Sequence, residues 1–181
     1  NEADRDLASI EALKKINIES SSFNDQVIYE PGFLKTGQGK PFSVFTPFKR
    51  RWIENFDMNF LDIAKPLKLK KPFPIQSNLS ALKFVKTHSV NIDLWHAGED
   101  AAHEKLANFL QSKAHTYSEL RNSPITDATS RISPYLALGI LSPKRCILEG
   151  LKLNNFEFTS GNKGICKWID EIIWREFYRN I

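Results

Sequence analysis

The sequence predicts a mixed fold class, in which a short α/β segment at the N-terminus precedes an all-α segment that fills the second half of the chain. Three observations predict it. Before residue 30, apolar residues at helical spacing are followed by a short β-type run. A stretch rich in proline and lysine at 65–74 then interrupts both patterns. Beyond residue 95 the apolar spacing is helical, with no strand signal of comparable strength.

The first predicted element is a helix over residues 6–16, where apolar residues recur every three residues. After Asn24-Asp25, the run Gln26–Tyr29 is predicted as a short strand that Pro31-Gly32 ends. A helix followed by a strand is typical of the end of an α/β unit. Residues 1–40 are therefore predicted to be the C-terminal end of an α/β domain.

The middle of the chain is predicted to connect two domains, and we assign residues 41–95 to this linker. A short apolar stripe over 49–56 predicts one small helix there. The sequence KPLKLKKPFP at 65–74 favours extended backbone because its three prolines remove helix donors. Residues 41–75 carry seven basic and three acidic side chains. This excess fits either a solvated linker or contact with a polyanion.

Helix signals dominate after residue 95. One helix is marked by Ala102, Leu106, Phe109 and Leu110. In the stretch 129–139, Ser133 is predicted as an N-cap before Pro134, and Gly139 as the helix end. Ser142-Pro143 repeats this start signal. The hydroxyls and the guanidinium before the helix suit a phosphate or diphosphate, although taken alone this pattern is more often ordinary capping with a surface arginine: Thr129, Ser130, Arg131.

Residues 165–181 are predicted as one helix with two unlike faces. The first face is apolar and is predicted to be core: Ile165, Ile169, Ile172, Ile173 and Phe177. The second face carries rings and charges: Trp168, Glu171, Trp174, Arg175 and Tyr178. Such side chains line ligand cavities, because rings stack on planar heterocycles while guanidinium groups pair with phosphates. A helix buried on both faces is the alternative, since tryptophan is usually buried.

Glu176 interrupts the apolar face of this helix, and Arg179 follows it three residues later. Residues at this spacing are neighbours on a helix surface. We therefore predict a buried carboxylate paired with Arg179, with a structural role.

Composition excludes several classes of protein. The 181 residues are 41% hydrophobic and 25% charged, as in a folded globular chain. No apolar run approaches the roughly 20 residues that a membrane-spanning helix needs. The four histidines lack the spacing of ligand pairs, so no metal site is expected. Two distant cysteines fit reduced, structural thiols in a cytoplasmic protein.

Three phrases of the sequence together resemble the DNA photolyase/cryptochrome family. They are SVFTPF at 43–48, TSRISPYLALGILSP at 129–143 and WIDEIIWREFYRNI at 168–181. The last phrase is most similar to bacterial class I cyclobutane pyrimidine dimer photolyases. The resemblance covers essentially the whole chain and implies an internal fragment of such a protein. Its fold would be an α/β antenna-domain tail (1–40), the linker (41–95) and the first part of an all-α FAD-binding domain (96–181).

The resemblance also implies roles for individual residues. Positions that match FAD-binding residues of the family are Tyr117, Thr129, Ser130, Arg131, Ile132, Ser133, Trp168 and Arg175. Asn1 and Glu2 match the pair that binds an antenna chromophore, for which 5,10-methenyltetrahydrofolate is expected. Positions that match DNA contacts are Arg121, Glu171, Trp174, Arg175 and Tyr178. Within this set, Glu171 and Trp174 match the catalytic residues at the flipped-out pyrimidine dimer.

The implied activity is that of a carbon–carbon lyase, in which reduced FAD transfers an electron to the dimer in light. The partner would be DNA that contains pyrimidine dimers, with no membrane, and the complete protein is expected to be a cytoplasmic monomer. A cryptochrome-type photoreceptor without repair activity is the alternative. A helical module that binds nucleic acid without a cofactor would explain only the basic middle stretch.

Overall fold

The computed structural model describes residues 2–61 and 94–180, and the linker stretch 65–74 lies outside them. Within these residues there are seven α-helices: α1 (Glu2–Lys15), α2 (Phe45–Glu54), α3 (Glu99–Ser112), α4 (Tyr117–Leu120), α5 (Ser133–Ala137), α6 (Pro143–Leu153) and α7 (Lys163–Arg179). Two short 3-10 helices span Met58–Leu61 and Ala114–Thr116. None of the helices described is long and apolar enough to cross a membrane.

The first helix is confirmed, and it begins four residues earlier than predicted. Its apolar positions do not enter the core, since Leu7 is 61% exposed and Ile16, just beyond the helix, is 64% exposed. The short helix predicted over 49–56 is also confirmed as α2, which begins at Phe45. Its buried residues are Phe48 and Trp52.

The predicted strand at Gln26–Tyr29 is wrong. These residues form bends and irregular backbone, and the secondary structure found in 2–61 and 94–180 is helical. A strand needs a neighbour that accepts its N–H groups. Here the N–H groups of Ile28 and Tyr29 instead donate to Oε1 of Glu176, at 3.0 and 2.7 Å. A single buried carboxylate on α7 thus takes the place of a second strand.

The predicted pairing of Glu176 with Arg179 is also wrong. Glu176 is buried as expected, but its partners are the two backbone N–H groups of residues 28 and 29. Burial raises the pKa of this carboxyl to about 6, against the lowering effect of those N–H groups. The Trp52 indole N–H, which has no hydrogen-bond partner among the described residues, also lies near enough to lower the pKa of Glu176.

Helix α7 is the central element of the fold. It packs against α2, α4, α6 and the 3-10 helix at Ala114–Thr116. Its predicted apolar face is confirmed as core, and so is the predicted apolar set of α3. Gly164 permits the closest approach, because a Cβ there would lie 2.3 Å from the carbonyl oxygens of Ala114 and His115. Only glycine allows α7 to lie this close to the preceding backbone.

Two of the three predicted helix boundary signals are confirmed. Ser142 caps α6 by accepting a hydrogen bond from the Lys144 N–H at 3.2 Å, and Gly139 follows α5 with a φ of 71°. Ser133 is not an N-cap, because the first helical hydrogen bond of α5 runs from Leu136 N–H to the Ile132 carbonyl. The Ser133 hydroxyl is therefore free of a capping role. The division of the chain into domains stays a prediction.

Candidate functional site

Three separate stretches of the chain meet around one cavity of about 350 Å³. They are the start of α4, the loop before α5 and the first half of α7. The cavity is lined by Trp95, Tyr117, Thr129, Ser130, Arg131, Ile132, Ser133, Leu136, Trp168, Glu171 and Ile172. This set contains every residue predicted to bind FAD except Arg175.

The loop that forms one wall of the cavity is held by its backbone. Arg131 has a φ of 51°, which is the left-handed region that few residues with a side chain adopt. The Trp95 indole N–H donates to the Arg131 carbonyl at 2.8 Å, and the Tyr135 hydroxyl donates to the His96 carbonyl at 2.7 Å. These anchors fix the strained backbone and direct the following residues into α5.

The side chains of this loop retain donor capacity toward a ligand. In the part of the chain described, the hydroxyls of Thr129, Ser130 and Ser133 make no hydrogen bond to protein. The Arg131 guanidinium is 41% exposed and lies 3.1 Å from the Asp127 carboxylate. Asp127 also pairs with Lys113 at 2.7 Å, and that hydrogen bond holds its pKa below the usual range. Three hydroxyls and one guanidinium are a donor set suited to phosphate oxygens.

The other wall of the cavity is apolar. Trp168 and Tyr117 are both buried, and each packs on Phe109, with ring centroids 5.3 and 5.7 Å apart, respectively. Ile132 and Ile172 complete this wall. Burial raises the pKa of Tyr117, so its hydroxyl stays protonated at neutral pH. A planar, largely apolar ring system could lie against such a surface.

Glu171 lies at the edge of the cavity between two cations. Its carboxylate forms an ion pair with Arg121, and it lies 3.4 Å from the ammonium of Lys167. The Arg121 guanidinium also stands over the Tyr117 ring, 5.5 Å from its centroid. On the far side of Arg121 a basic depression of about 520 Å³ includes Lys163 and Lys167. Arg121 and Glu171, which both match DNA contacts of the family, are thus in direct contact.

The remaining predicted residues of α7 do not line the cavity. Trp174 stacks on Phe45 of α2, with ring centroids 3.8 Å apart and an interplanar angle of 11°. Arg175 donates to the carbonyl and side-chain oxygens of Gln26 at 2.6 and 2.8 Å, and to the Leu136 carbonyl at 3.3 Å. Tyr178 is 67% exposed. The structure therefore does not bring Arg175 to the predicted cofactor site.

Sequence reasoning missed two residues that shape this region. Trp95 contributes both a cavity wall and the hydrogen bond to Arg131, yet no periodic pattern surrounds it. Phe45 lies inside the phrase SVFTPF, which is the only signal that could have singled it out. Asn1 and the Glu2 side chain, predicted for the antenna chromophore, lie outside the part described.

The two cysteines are free thiols. Cys146 is buried, and burial raises its pKa to about 12. Cys166 donates to the Ser160 carbonyl at 3.1 Å. Among the residues described, no group of three histidine, cysteine, aspartate or glutamate side chains could hold a metal ion.

Comparison with known proteins agrees with the resemblance seen in the sequence. The family model for DNA photolyase matches residues 1–72. The chain is 33% identical to the deoxyribodipyrimidine photo-lyase of Escherichia coli strain K12, over 100% of this chain and 38% of that protein. It is 30% identical to the Vibrio cholerae protein of the same name, over 100% of this chain and 39% of that protein.

A solved structure is also similar. The class III photolyase of Agrobacterium tumefaciens matches with a TM-score of 0.77 and 32% identity, over 96% of this chain and 36% of that one. Over essentially its whole length the chain is thus similar to DNA photolyases. It spans about 38% of the length of the curated relatives it matches.

Proposed function

We propose that this chain carries part of the flavin site and of the DNA-facing surface of an enzyme that repairs cyclobutane pyrimidine dimers in light. The observation that supports this most is the single cavity formed by Tyr117, the loop 129–133 and Trp168. The loop and Trp168 come from two phrases that resemble photolyases, Tyr117 matches a further FAD-binding position, and the three meet only in the folded chain. The names of the relatives support the same class of activity.

The cavity fits FAD by the chemistry of its two walls. The free hydroxyls of Thr129 and Ser130 and the Arg131 guanidinium would bind the diphosphate. Trp168 and Tyr117 would cover the rings and exclude water, because both are buried and braced by Phe109. Bound FAD, in its reduced form, would supply light absorption and the electron that opens the cyclobutane ring.

The DNA-facing residues would lie at and beyond the edge of this cavity. Glu171, held between Arg121 and Lys167, would accept hydrogen bonds from the N–H groups of the flipped-out bases. Arg121 would contact the DNA backbone, and the basic depression next to it supports this role. Trp174 follows Glu171 by three residues on the same side of α7, one turn beyond the edge, and would stack on a base.

Further parts of the proposal depend on the resemblance alone. They are the antenna chromophore at Asn1 and Glu2, the class I subgroup, the division into antenna and FAD-binding domains, the monomeric state and the cytoplasmic location.

The test uses the natural polypeptide that contains this sequence, purified from its source. We expect flavin absorbance in the purified protein and light-dependent loss of dimers from irradiated DNA, with no loss in the dark. A protein that contains flavin but leaves the dimers intact in light would contradict repair and favour a photoreceptor. A protein that binds no flavin, even when FAD is supplied, would contradict the cavity assignment.

A further inference from the structure

We propose that Phe45 of α2 is a positioning residue for the base-stacking tryptophan, Trp174. The inference depends on the proposed function, because it concerns how the same DNA-facing surface is shaped. Phe45 lies far from Trp174 in the sequence, and only the packing of α2 on α7 brings the two rings together.

The geometry of this pair is a close parallel stack. The ring centroids lie 3.8 Å apart with an interplanar angle of 11°, so the Phe45 ring covers one face of the indole. The ring of Tyr178, which is 67% exposed, also stacks on Trp174, with centroids 5.6 Å apart and an interplanar angle of 27°. An indole with one face covered can accept a nucleobase on its other face only. Phe45 would therefore determine the side and the tilt of the ring that a base meets.

Helix α2, which carries Phe45, is held on α7 by contacts that do not involve Trp174. Lys49, one turn further along α2, forms a half-buried ion pair with Asp170 of α7 at 2.6 Å. Phe48 packs on Phe177 with a centroid separation of 5.2 Å. These contacts hold α2 on α7, so a change at residue 45 alone should leave the helix in place.

The distinguishing property is the flat ring at position 45. A base stacks on an aromatic side chain through a planar face, and the energy depends on the orientation of that face. Leucine keeps the apolar character at position 45 but removes the plane against which the indole rests. If Phe45 only fills space, Phe45→Leu should bind damaged DNA as the unaltered protein does. If Phe45 positions Trp174, the Phe45→Leu protein should bind damaged DNA more weakly than the unaltered protein does.

The experiment measures binding in the dark, so that it does not depend on electron transfer. The natural polypeptide and its variants are titrated with a duplex oligonucleotide that contains one cyclobutane dimer, and with the undamaged duplex. For Phe45→Leu we expect affinity for the damaged duplex to fall about two- to tenfold, as the loss of one aromatic pair allows. Affinity for undamaged DNA should not change, and Phe45→Tyr, which restores a ring, should recover the loss.

The matched control is Phe33→Leu. Phe33 also stacks in parallel, on Tyr29 at 5.3 Å, but it is 58% exposed where Phe45 is partly buried, and it belongs to no part of the proposed site. The Phe33→Leu protein should bind both duplexes as the unaltered protein does. If Phe45→Leu does not fold, as judged by its melting curve, Phe45→Met repeats the test.

The outcomes separate this inference from the proposed function. If the Trp174→Ala protein binds the damaged duplex normally, the proposal that a base stacks on Trp174 is overturned, and the proposed role of Phe45 is overturned with it. Trp174→Ala that loses discrimination, while Phe45→Leu retains it, would overturn the role of Phe45 alone. Loss of discrimination in both, with recovery in Phe45→Tyr, supports the inference.

Discussion

The two halves of the second face of α7 have different environments. In the first half, Trp168 and Glu171 border the cavity, and the hydroxyls of Thr129, Ser130 and Ser133 that also line it make no hydrogen bond to protein within residues 2–61 and 94–180. In the second half, Trp174 is covered by Phe45, and Arg175 is bound to Gln26 and the Leu136 carbonyl. The same pattern of rings and charges therefore lines a cavity at one end and anchors an N-terminal segment at the other.

A polar and aromatic helix face therefore indicates where contacts are made, but it does not indicate whether the partner is a protein segment or a ligand. The partner is set by which segment crosses the face. Residues 26–48 cross the second half, and they use its guanidinium and indole for structural contacts. The first half packs on α4 and on the 3-10 helix at Ala114–Thr116, and the cavity beside Trp168 and Glu171 leaves room for a ligand there.

The largest effect is expected where the second half holds the N-terminal segment. Glu176→Ala would leave the buried N–H groups of Ile28 and Tyr29 without an acceptor. Each unsatisfied group costs about 1–3 kcal/mol, so the free energy of unfolding should fall by about 2–6 kcal/mol. Urea unfolding of the natural polypeptide measures it. Glu176→Gln, which keeps an acceptor oxygen, is the control, and an equal loss in both variants would contradict the assignment.

The next effect concerns the first half, where α7 lies against the 3-10 helix. Gly164→Ala would place a Cβ 2.3 Å from two backbone carbonyl oxygens, so α7 must shift away from Ala114 and His115. We expect a loss of about 3 kcal/mol in the free energy of unfolding. Gly37→Ala is the matched control, because nothing lies within 4 Å of a Cβ there. A Gly164→Ala protein as stable as the control would show that the contact is not close in solution.

The third prediction compares two arginines directly. Arg131→Gln should weaken FAD binding roughly 10- to 100-fold, as loss of one charged hydrogen bond allows, and should leave stability nearly unchanged. Arg175→Gln should lower the free energy of unfolding and leave FAD binding nearly unchanged, because the Arg175 guanidinium donates hydrogen bonds to the protein rather than into the cavity. Flavin fluorescence titration and urea unfolding measure the two effects. Weaker FAD binding in Arg175→Gln at unchanged stability would remove the distinction between the two halves.

The smallest effect is a pH dependence of stability that comes from Glu176. Its pKa is raised from 4.5 to about 6 in the folded state, so the folded protein binds more protons than the unfolded chain between these values. The free energy of unfolding should therefore fall by about 2 kcal/mol as pH rises through this interval. The measured quantity is the difference between the original protein and Glu176→Gln at each pH. A constant difference from pH 4 to 7 would exclude Glu176 as the source.

Much of the helical part was predictable from the sequence, because its signals are local. The apolar spacing of α3 and α7 identified their core faces, and Ser142-Pro143 identified the start of α6. The loop 129–133 was predictable as a donor-rich site from its composition and from the family resemblance. The conformation of residues 26–29 was not predictable from the sequence. Their β-type residues predicted a strand, but such residues form a strand only where a neighbouring strand accepts their hydrogen bonds.

The family resemblance, the helix faces and most of the residues that line the cavity could be read from the sequence alone, because periodicity and motif are properties of neighbouring residues. Only the tertiary structure decided which of these residues share a site. It separated Arg175 from Trp168, joined Arg121 to Glu171, and placed Phe45 on Trp174. The physical reason is that each such contact joins segments distant in the chain, and which segments meet depends on how the whole core packs.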